Sequence, residues 1–315
     1  MSENKPVVLV TGASGFVGRH VVPALMRAGW SVRRAVRNPE GLADEVVIET
    51  IGPDTDWQAA LDGVDAVVHL AARVHHKHEE HAVQLYRDVN IAGTLHLARG
   101  AAAAGARQFI FISTVLVHGS SNEGRPPCTE NDVLTPRGLY GMSKAAAEAG
   151  LKMLARDCAM KISVIRPPLV YGPGAKGNFA SLRRAVELGL PLPFAAIRNQ
   201  RAFLAVQNLS SFMLRRLADL DSASNFEIFL VADGEQVSTP EFIQRLARAS
   251  GKTPRLFSVP PELLDSLLGL AGRQDSRDSL IGSLELNVSK AIATGWRPKV
   301  SLDEGLRLAL SAQDA

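Results

Sequence analysis

The chain opens with a short apolar run, residues 7–10 (VVLV), that stops at a glycine-rich turn. A β-branched run this short, apolar on both faces, predicts a strand buried on both sides of a sheet. From Val17 the apolar positions recur with helical period as far as Ala28, and Gly29 ends that helix. Similar patterns predict strands over 31–36, 46–51, 65–70 (DAVVHL), 108–112 (QFIFI) and 162–166, with long helices over 83–105 and 141–155. Strands alternating with helices at this spacing imply right-handed βαβ units and an α/β fold on a parallel, doubly wound sheet. Pro and Gly then cluster over 167–177, which marks a lobe boundary. The organisation read from this is a first domain over 1–166 and a smaller, mostly helical C-terminal lobe over 167–315 with a strand at 226–231, later segments returning to the first domain. Leu263, Leu264, Leu267, Leu268 and Leu270 have helical spacing and read as core or a lobe-covering helix rather than a membrane anchor.

Composition narrows the class. The 315 residues are 46% hydrophobic and 21% charged, as in a folded enzyme, and the net charge is only +3. Lys and Arg are scattered without a like-charge block, so no nucleic-acid partner is expected. The two cysteines, Cys128 and Cys158, have no metal or redox spacing and fit a reducing compartment. Residues 1–5 are polar and do not read as a signal peptide, and the longest apolar stretches, such as 109–117, are too short to span a bilayer. A soluble, cytoplasmic protein with no membrane partner is the expectation.

The candidate chemistry begins at Thr11-Gly12-Ala13-Ser14-Gly15-Phe16-Val17-Gly18, where glycines fall at G-x-x-G-x-x-G between the first strand and the first helix. The first glycine permits a tight turn, the second lets backbone approach a pyrophosphate, and the third lets helix and sheet pack closely. The helix N-terminus then offers free N–H groups and a positive dipole end to phosphates. This predicts a Rossmann-type dinucleotide site with Gly12, Ser14, Gly15, Phe16, Val17 and Gly18 on the cofactor. The end of the second strand reads Val32-Arg33-Arg34-Ala35-Val36-Arg37-Asn38, with no acid to hold a ribose 2′-hydroxyl. Arg37, with Arg33 as a second candidate, has the chemistry to pair a 2′-phosphate, so NADP(H) is favoured over NAD(H), which stays open.

Tyr140-Gly141-Met142-Ser143-Lys144 puts Tyr and Lys at i and i+4, on one face of a helix. A phenol is a poor base at neutral pH, and a fixed ammonium beside it favours the phenolate. Such a phenol can exchange a proton with a substrate hydroxyl while hydride moves at the same carbon. Ser113-Thr114 supplies a hydroxyl at the end of the fifth strand for the substrate oxygen. His75, His76, His78 and His81 have no one-face ligand spacing and read as surface or a substrate loop, so no metal is expected. Trp57 and Trp296 read as packing residues.

Taken together, TGASGFVG, HLAA (69–72), Val89-Asn90, ISTVLVHG (112–119), YGMSK, RPPLVYGPG (166–174) and GWRPKVSLDEGL (295–306) make the chain resemble the extended short-chain dehydrogenase/reductases, in the NAD-dependent epimerase/dehydratase family. The resemblance implies a catalytic trio of Thr114, Tyr140 and Lys144. It implies cofactor contacts at Ile51, Leu70, Ala71, Ala72, Ile112, Pro167 and Val170, and substrate contacts at Asn178 and Arg201. Arg73, directly after HLAA, is a further substrate-contact candidate. The chain departs from the family pattern at His118, where Tyr is usual, at Thr50-Ile51, where an acid usually precedes, and at Asn208, where Asp is frequent. RPPLVYGPGAKGNF and GLPLPFAAIRNQRAFL look most like bacterial enzymes of UDP-N-acetylhexosamine metabolism, both 4-epimerases and 4-keto reductases. The implied partner is a nucleotide sugar, the implied assembly a homodimer through the helices 83–105 and 141–155. Between the two activities, the Arg37 argument leans to the reductase.

Overall fold

The computed structural model of the protein describes residues 5–74, 82–221, 223–264 and 280–311. His75, His76, His78, His81, Leu267, Leu268 and Leu270 lie outside the described residues. The strands are β1 (Val7–Thr11), β2 (Ser31–Val36), β3 (Glu45–Val47), β4 (Ala66–His69), β5 (Gln108–Ile112), β6 (Lys161–Arg166), β7 (Leu169–Tyr171), β8 (Arg201–Ala205), β9 (Phe226–Leu230) and β10 (Gln236–Val237). The helices are α1 (Phe16–Arg27), α2 (Gln58–Leu61), α3 (Ala82–Tyr86), α4 (Thr94–Ala103), α5 (Gly138–Leu154), α6 (Asn178–Glu187), α7 (Val206–Leu217), α8 (Thr239–Ala249), α9 (Ser289–Ala293) and α10 (Leu302–Ser311). A π-helical turn, Arg87–Gly93, joins α3 to α4. Among the described residues no helix is long and apolar enough to cross a membrane.

The chain forms two compact, interleaved units: Met1–Val117, Leu134–Arg166 and Ser210–Phe229 in one, His118–Val133, Pro167–Leu209 and Leu230–Ala315 in the other. The first is built on a seven-stranded sheet in the order β3-β2-β1-β4-β5-β6-β9. The first six strands pair in parallel throughout, which makes this a Rossmann-like, doubly wound α/β sheet. Val8, Leu9 and Val10 are fully buried, as a strand covered on both faces requires. Leu9, Val67, Phe109 and Val164 of successive strands, with Leu97, Ala147 and Leu151 of the covering helices, form the core, and Trp57 packs into it. Arg216 ties the returning segment to the sheet. It pairs with Asp219 at 2.8 Å and Glu227 at 2.7 Å, and its guanidinium lies 4.6 Å from the Phe229 ring centre.

Two elements differ from the pattern-based expectation. The third strand stops at Val47 rather than 51. Further on, the Thr55 hydroxyl donates to Thr50 O at 2.9 Å and accepts from Gly52 N at 2.8 Å, so 50–55 is a turn and the strand does not reach 51. In the second unit, the segment expected to be mostly helical also holds a three-stranded sheet, β10-β8-β7. Its strands are two to five residues long, too short for period-two alternation to show. Tyr171, Phe179, Phe203, Phe242, Leu246 and Leu306 form the core of that unit.

Candidate active site

The glycine loop lies where the strand order reverses, between β1 and β4, the switch point at which open α/β sheets bind ligands. Gly12 has φ +71°, and its carbonyl accepts from Gly15 N at 3.0 Å. A Cβ on Gly18 would stand 2.3 Å from Gly12 O, and one on Gly12 would stand 2.8 Å from Ala71 N. Both positions therefore exclude any side chain. Gly15 caps α1 with no side-chain bond, and no acid occupies the first turn. The first-turn N–H groups and the dipole end are thus available to an anion, and the loop fits a dinucleotide pyrophosphate. Leu70 N donates to Thr11 O at 3.2 Å and Ala71 N to Thr11 Oγ1 at 3.3 Å, which sets 70–72 along the loop. Ser14 is exposed, and Phe16 and Val17 are half-buried. Ile51 packs against the first core.

At the end of β2, Val36 is buried and Arg37 is exposed, with no intramolecular hydrogen bond or ion pair among the described residues. Arg33 is engaged elsewhere, contrary to its reading as a second phosphate ligand. It donates to Ala60 O at 2.9 Å and Asp62 O at 2.6 Å, closing the C-terminal end of α2. The pattern-based reading overlooked Arg19 and Arg34. With Ser14, Val36, Asn38 and Glu45 they line a cavity of about 170 Å³ beside the glycine loop. Arg34 pairs with Asp44 at 2.9 Å. Glu45 accepts from Glu40 N, Gly41 N and Leu42 N, each at 2.9 Å. Desolvation pushes its carboxyl upward, but those bonds and Arg34 together outweigh it and hold the group below the usual carboxylate range.

Tyr140 and Lys144 sit in the first two turns of α5, which begins at Gly138. Gly141 lets the helix approach the 115–118 turn, where an added Cβ would stand 3.2 Å from Leu116 O. Lys144 is 1% exposed. Its ammonium donates to Ile112 O at 2.7 Å and lies 4.3 Å from the Phe111 ring centre and 6.0 Å from that of Tyr140. Burial draws its pKa down to about 7, with Glu148 one turn on acting in the opposite sense. Burial pushes the Tyr140 phenol up to about 12, and the nearby Tyr86 adds to the rise. Burial thus favours the neutral phenol in the free protein.

The structure separates the two hydroxyls at the end of β5. Ser113 is 1% exposed and donates to Glu148. Glu148 is itself held by Arg166 through bonds of 2.6, 3.1 and 3.2 Å. Among the described residues, Thr114 Oγ1 accepts a local bond from Leu116 N at 3.2 Å and makes no bond to Glu148. A chain of hydrogen bonds then runs from the glycine loop to α5. Thr11 Oγ1 meets His69 Nδ1 at 2.7 Å, and His69 Nε2 meets Thr94 Oγ1 at 3.0 Å. Thr94 donates to Asn90 O at 2.8 Å, and Asn90 Nδ2 to Ser143 Oγ at 2.9 Å. Ser143 donates to Tyr140 O at 2.8 Å. Asn90, in the π-helical turn, also accepts from Arg73 N at 2.7 Å and donates to Arg73 O at 3.0 Å. The Arg73 side chain lies 6.0 Å from the Tyr86 ring centre. His69 is fully buried, and desolvation first, then Lys144, lowers its pKa to about 3, so the imidazole is neutral.

The second unit carries the other candidates. Pro167 is buried and Val170 lies in β7. Asn178 opens α6 after Gly177 (φ +69°) and is exposed. Arg201 is 7% exposed in β8 and donates to Gly282 O. Asn208 bridges Asp233 Oδ1 at 2.7 Å to the backbone of Lys299 and Val300. An aspartate at 208 would set two buried carboxylates against each other, which accounts for the amide here.

The model of the family described as "NAD dependent epimerase/dehydratase family" matches residues 8–232. A UDP-glucose 4-epimerase of Vibrio cholerae is 39% identical over 307 residues, 95% of this chain and 93% of that one. A UDP-glucose 4-epimerase of Thermus thermophilus solved with NAD is 26% identical, with a TM-score of 0.73 over 96% of this chain and 97% of that one. RMD of Pseudomonas aeruginosa, solved with NADPH, is 26% identical, with a TM-score of 0.74 over 97% of this chain and 98% of that one. Two relatives of equal identity thus hold different nicotinamide cofactors on one fold. With a seven-stranded sheet of this order, a glycine loop at its switch point and a family match over most of its length, the chain belongs to the NAD-dependent epimerase/dehydratase family of enzymes.

Proposed function

We propose that the protein is a nucleotide-sugar oxidoreductase acting at C4 of a UDP-hexose or UDP-N-acetylhexosamine. The observation that carries this is the placement of Tyr140 and Lys144. A phenol and an ammonium share one face of α5, and the ammonium is fixed by Ile112 O at the carboxyl end of β5. A bound nicotinamide dinucleotide supplies the hydride acceptor and donor. Gly12, Gly15, Gly18 and the first turn of α1 hold its pyrophosphate. Tyr140 takes the hydroxyl proton of the substrate when the carbon is oxidised and returns it when the carbon is reduced. Lys144 holds the phenol in its anionic form by charge, and Thr114 donates to the substrate oxygen as charge gathers there. Arg73, Asn178 and Arg201 are assigned to the substrate.

The 39% identity to a UDP-glucose 4-epimerase supports the epimerase as the first reading. The 4-keto reductase is the second, favoured by Arg37 and by Val36 in the place of a ribose-binding acid. Incubation with UDP-glucose and UDP-N-acetylglucosamine, analysed by chromatography, tests the first: the epimer forms with no added reductant, and NAD copurifies. Incubation of 4-keto UDP-sugars with NADPH tests the second: absorbance at 340 nm falls in step with product. In either assay Tyr140→Phe abolishes turnover while cofactor binding persists. Turnover by that variant, or inertness toward every nucleotide sugar, refutes the proposal. A homodimer through α4 and α5 belongs to the same proposal, and sedimentation of the chain as a monomer at micromolar concentration counts against it.

A further inference from the structure

The site of nucleotide-sugar chemistry leaves one cluster of chemistry-bearing side chains unused. His118 ends a 3₁₀ turn, Val115–His118, and Cys128 and Asp132 lie ten and fourteen residues further on. The fold brings all three together within the second unit: the imidazole nitrogen, the thiol sulfur and a carboxylate oxygen lie within 4.8 Å of one another. His118 is 3% and Cys128 5% exposed, whereas Asp132 is at the surface.

Three features make the cluster more than a chance meeting. The backbone around it is anchored: Cys128 N donates to Glu285 O at 2.8 Å, and Asn287 N donates to Cys128 O at 2.9 Å. The carboxylate is oriented before any ligand arrives, because Thr129 donates to it through its hydroxyl at 2.6 Å and its N–H at 3.0 Å. Those bonds, opposed by desolvation and aided by His118 and Arg125, hold Asp132 below the usual carboxylate range, so it is an anion. Finally, one nitrogen, one sulfur and one oxygen donor form a mixed set that suits a borderline-soft divalent ion. Tetrahedral zinc with bonds of about 2.0–2.3 Å sets its ligand atoms roughly 3.3–3.6 Å apart. The cluster therefore needs to contract by about 1.5 Å at most, within the reach of side-chain rotation.

We propose that His118, Cys128 and Asp132 form a binding site for a zinc-like divalent cation, with a fourth position left to water. On binding, the Cys128 thiol loses its proton to solvent and the sulfur bonds to the metal, so each ion taken up releases one proton from this residue. A bound ion would staple the 128–132 loop to the turn that follows Thr114 in sequence, and would protect the thiol from oxidation.

The test uses the full chain, stripped with a chelator and dialysed. Titration with Co²⁺ is expected to give a sulfur-to-metal charge-transfer band in the near ultraviolet and to saturate near one ion per chain. Zn²⁺ should displace it. Cys128→Ser abolishes the band, Asp132→Asn and His118→Asn each weaken binding by more than about tenfold, and Cys158→Ser leaves it unchanged. Asp132 is exposed, so its variant keeps the test valid if a buried substitution unfolds the protein. Failure of the parent to bind Zn²⁺ or Co²⁺ at micromolar concentration, or binding that survives Cys128→Ser or is lost with Cys158→Ser, overturns the proposal.

Discussion

Replacing Glu148 by Gln keeps the shape of the side chain and removes one charge at the centre of the first unit. Glu148 is 3% exposed and Arg166 2%, joined by three contacts of 2.6–3.2 Å, with the Ser113 hydroxyl on the same carboxylate. Arginine stays protonated at any working pH, so the variant leaves a buried guanidinium facing a neutral amide. Breaking one side of a buried pair costs about 3–5 kcal/mol, whereas replacing both partners by apolar groups is often close to neutral. At about 2 °C per kcal/mol for a chain of this size, the melting point of Glu148→Gln should fall by about 6–10 °C. Glu148→Leu combined with Arg166→Met should regain most of the loss. A second effect separates charge from packing. Glu148 supports the proton on Lys144, which burial already draws down to about 7, so the variant should shed that proton at lower pH. The alkaline limb of the kcat profile would then move to lower pH. Calorimetry of the three proteins and a pH–rate profile check the reasoning. A single variant within about 1 kcal/mol of the parent, or a double variant no better than the single, refutes it.

Gly18→Ala should destabilise the protein by about 1–3 kcal/mol and abolish cofactor binding, because its Cβ would stand 2.3 Å from Gly12 O. Isothermal titration and melting curves measure this, and undiminished affinity contradicts the close-approach argument. Asn90→Ala strips partners from both backbone groups of Arg73, while Ser143 keeps its bond to Tyr140 O, and should cost about 2–6 kcal/mol at about 1–3 kcal/mol for each of the two backbone groups. Urea unfolding decides it, and a loss under about 1 kcal/mol would show that water replaces the amide. His69 has a folded pKa of about 3, below its ordinary 6.5. Between those values the unfolded chain binds the proton and the folded chain does not, so stability is lost as pH falls from 6.5 towards 3 and changes no further from this group below that. Urea midpoints from pH 7 to pH 4 should fall less steeply for His69→Asn, and parallel slopes would show that the imidazole is not a neutral buried group.

Much of the first unit is written in local pattern. VVLV followed by glycines, DAVVHL and QFIFI are buried on both faces and announce themselves as strands, and the helices between them force parallel pairing. The glycine loop and Tyr140-x-x-x-Lys144 were legible for the same reason: each depends on residues within one helical turn or one strand–helix junction. What depends on contacts between distant segments was not. That Ser113 rather than Thr114 serves Glu148 follows from α5 lying against the end of β5, with Arg166 as the third party. Arg33 and Arg34 are neighbours of equivalent type in sequence. The alternation of side chains along β2 sends one to the end of α2 and the other into the cavity beside the glycine loop. His118, Cys128 and Asp132 have no motif spacing, and only the paths of two loops set them side by side. Backbone preference and hydrophobic period act over a few residues and can be read in order along the chain. Which polar group meets which is settled only when the core closes around them.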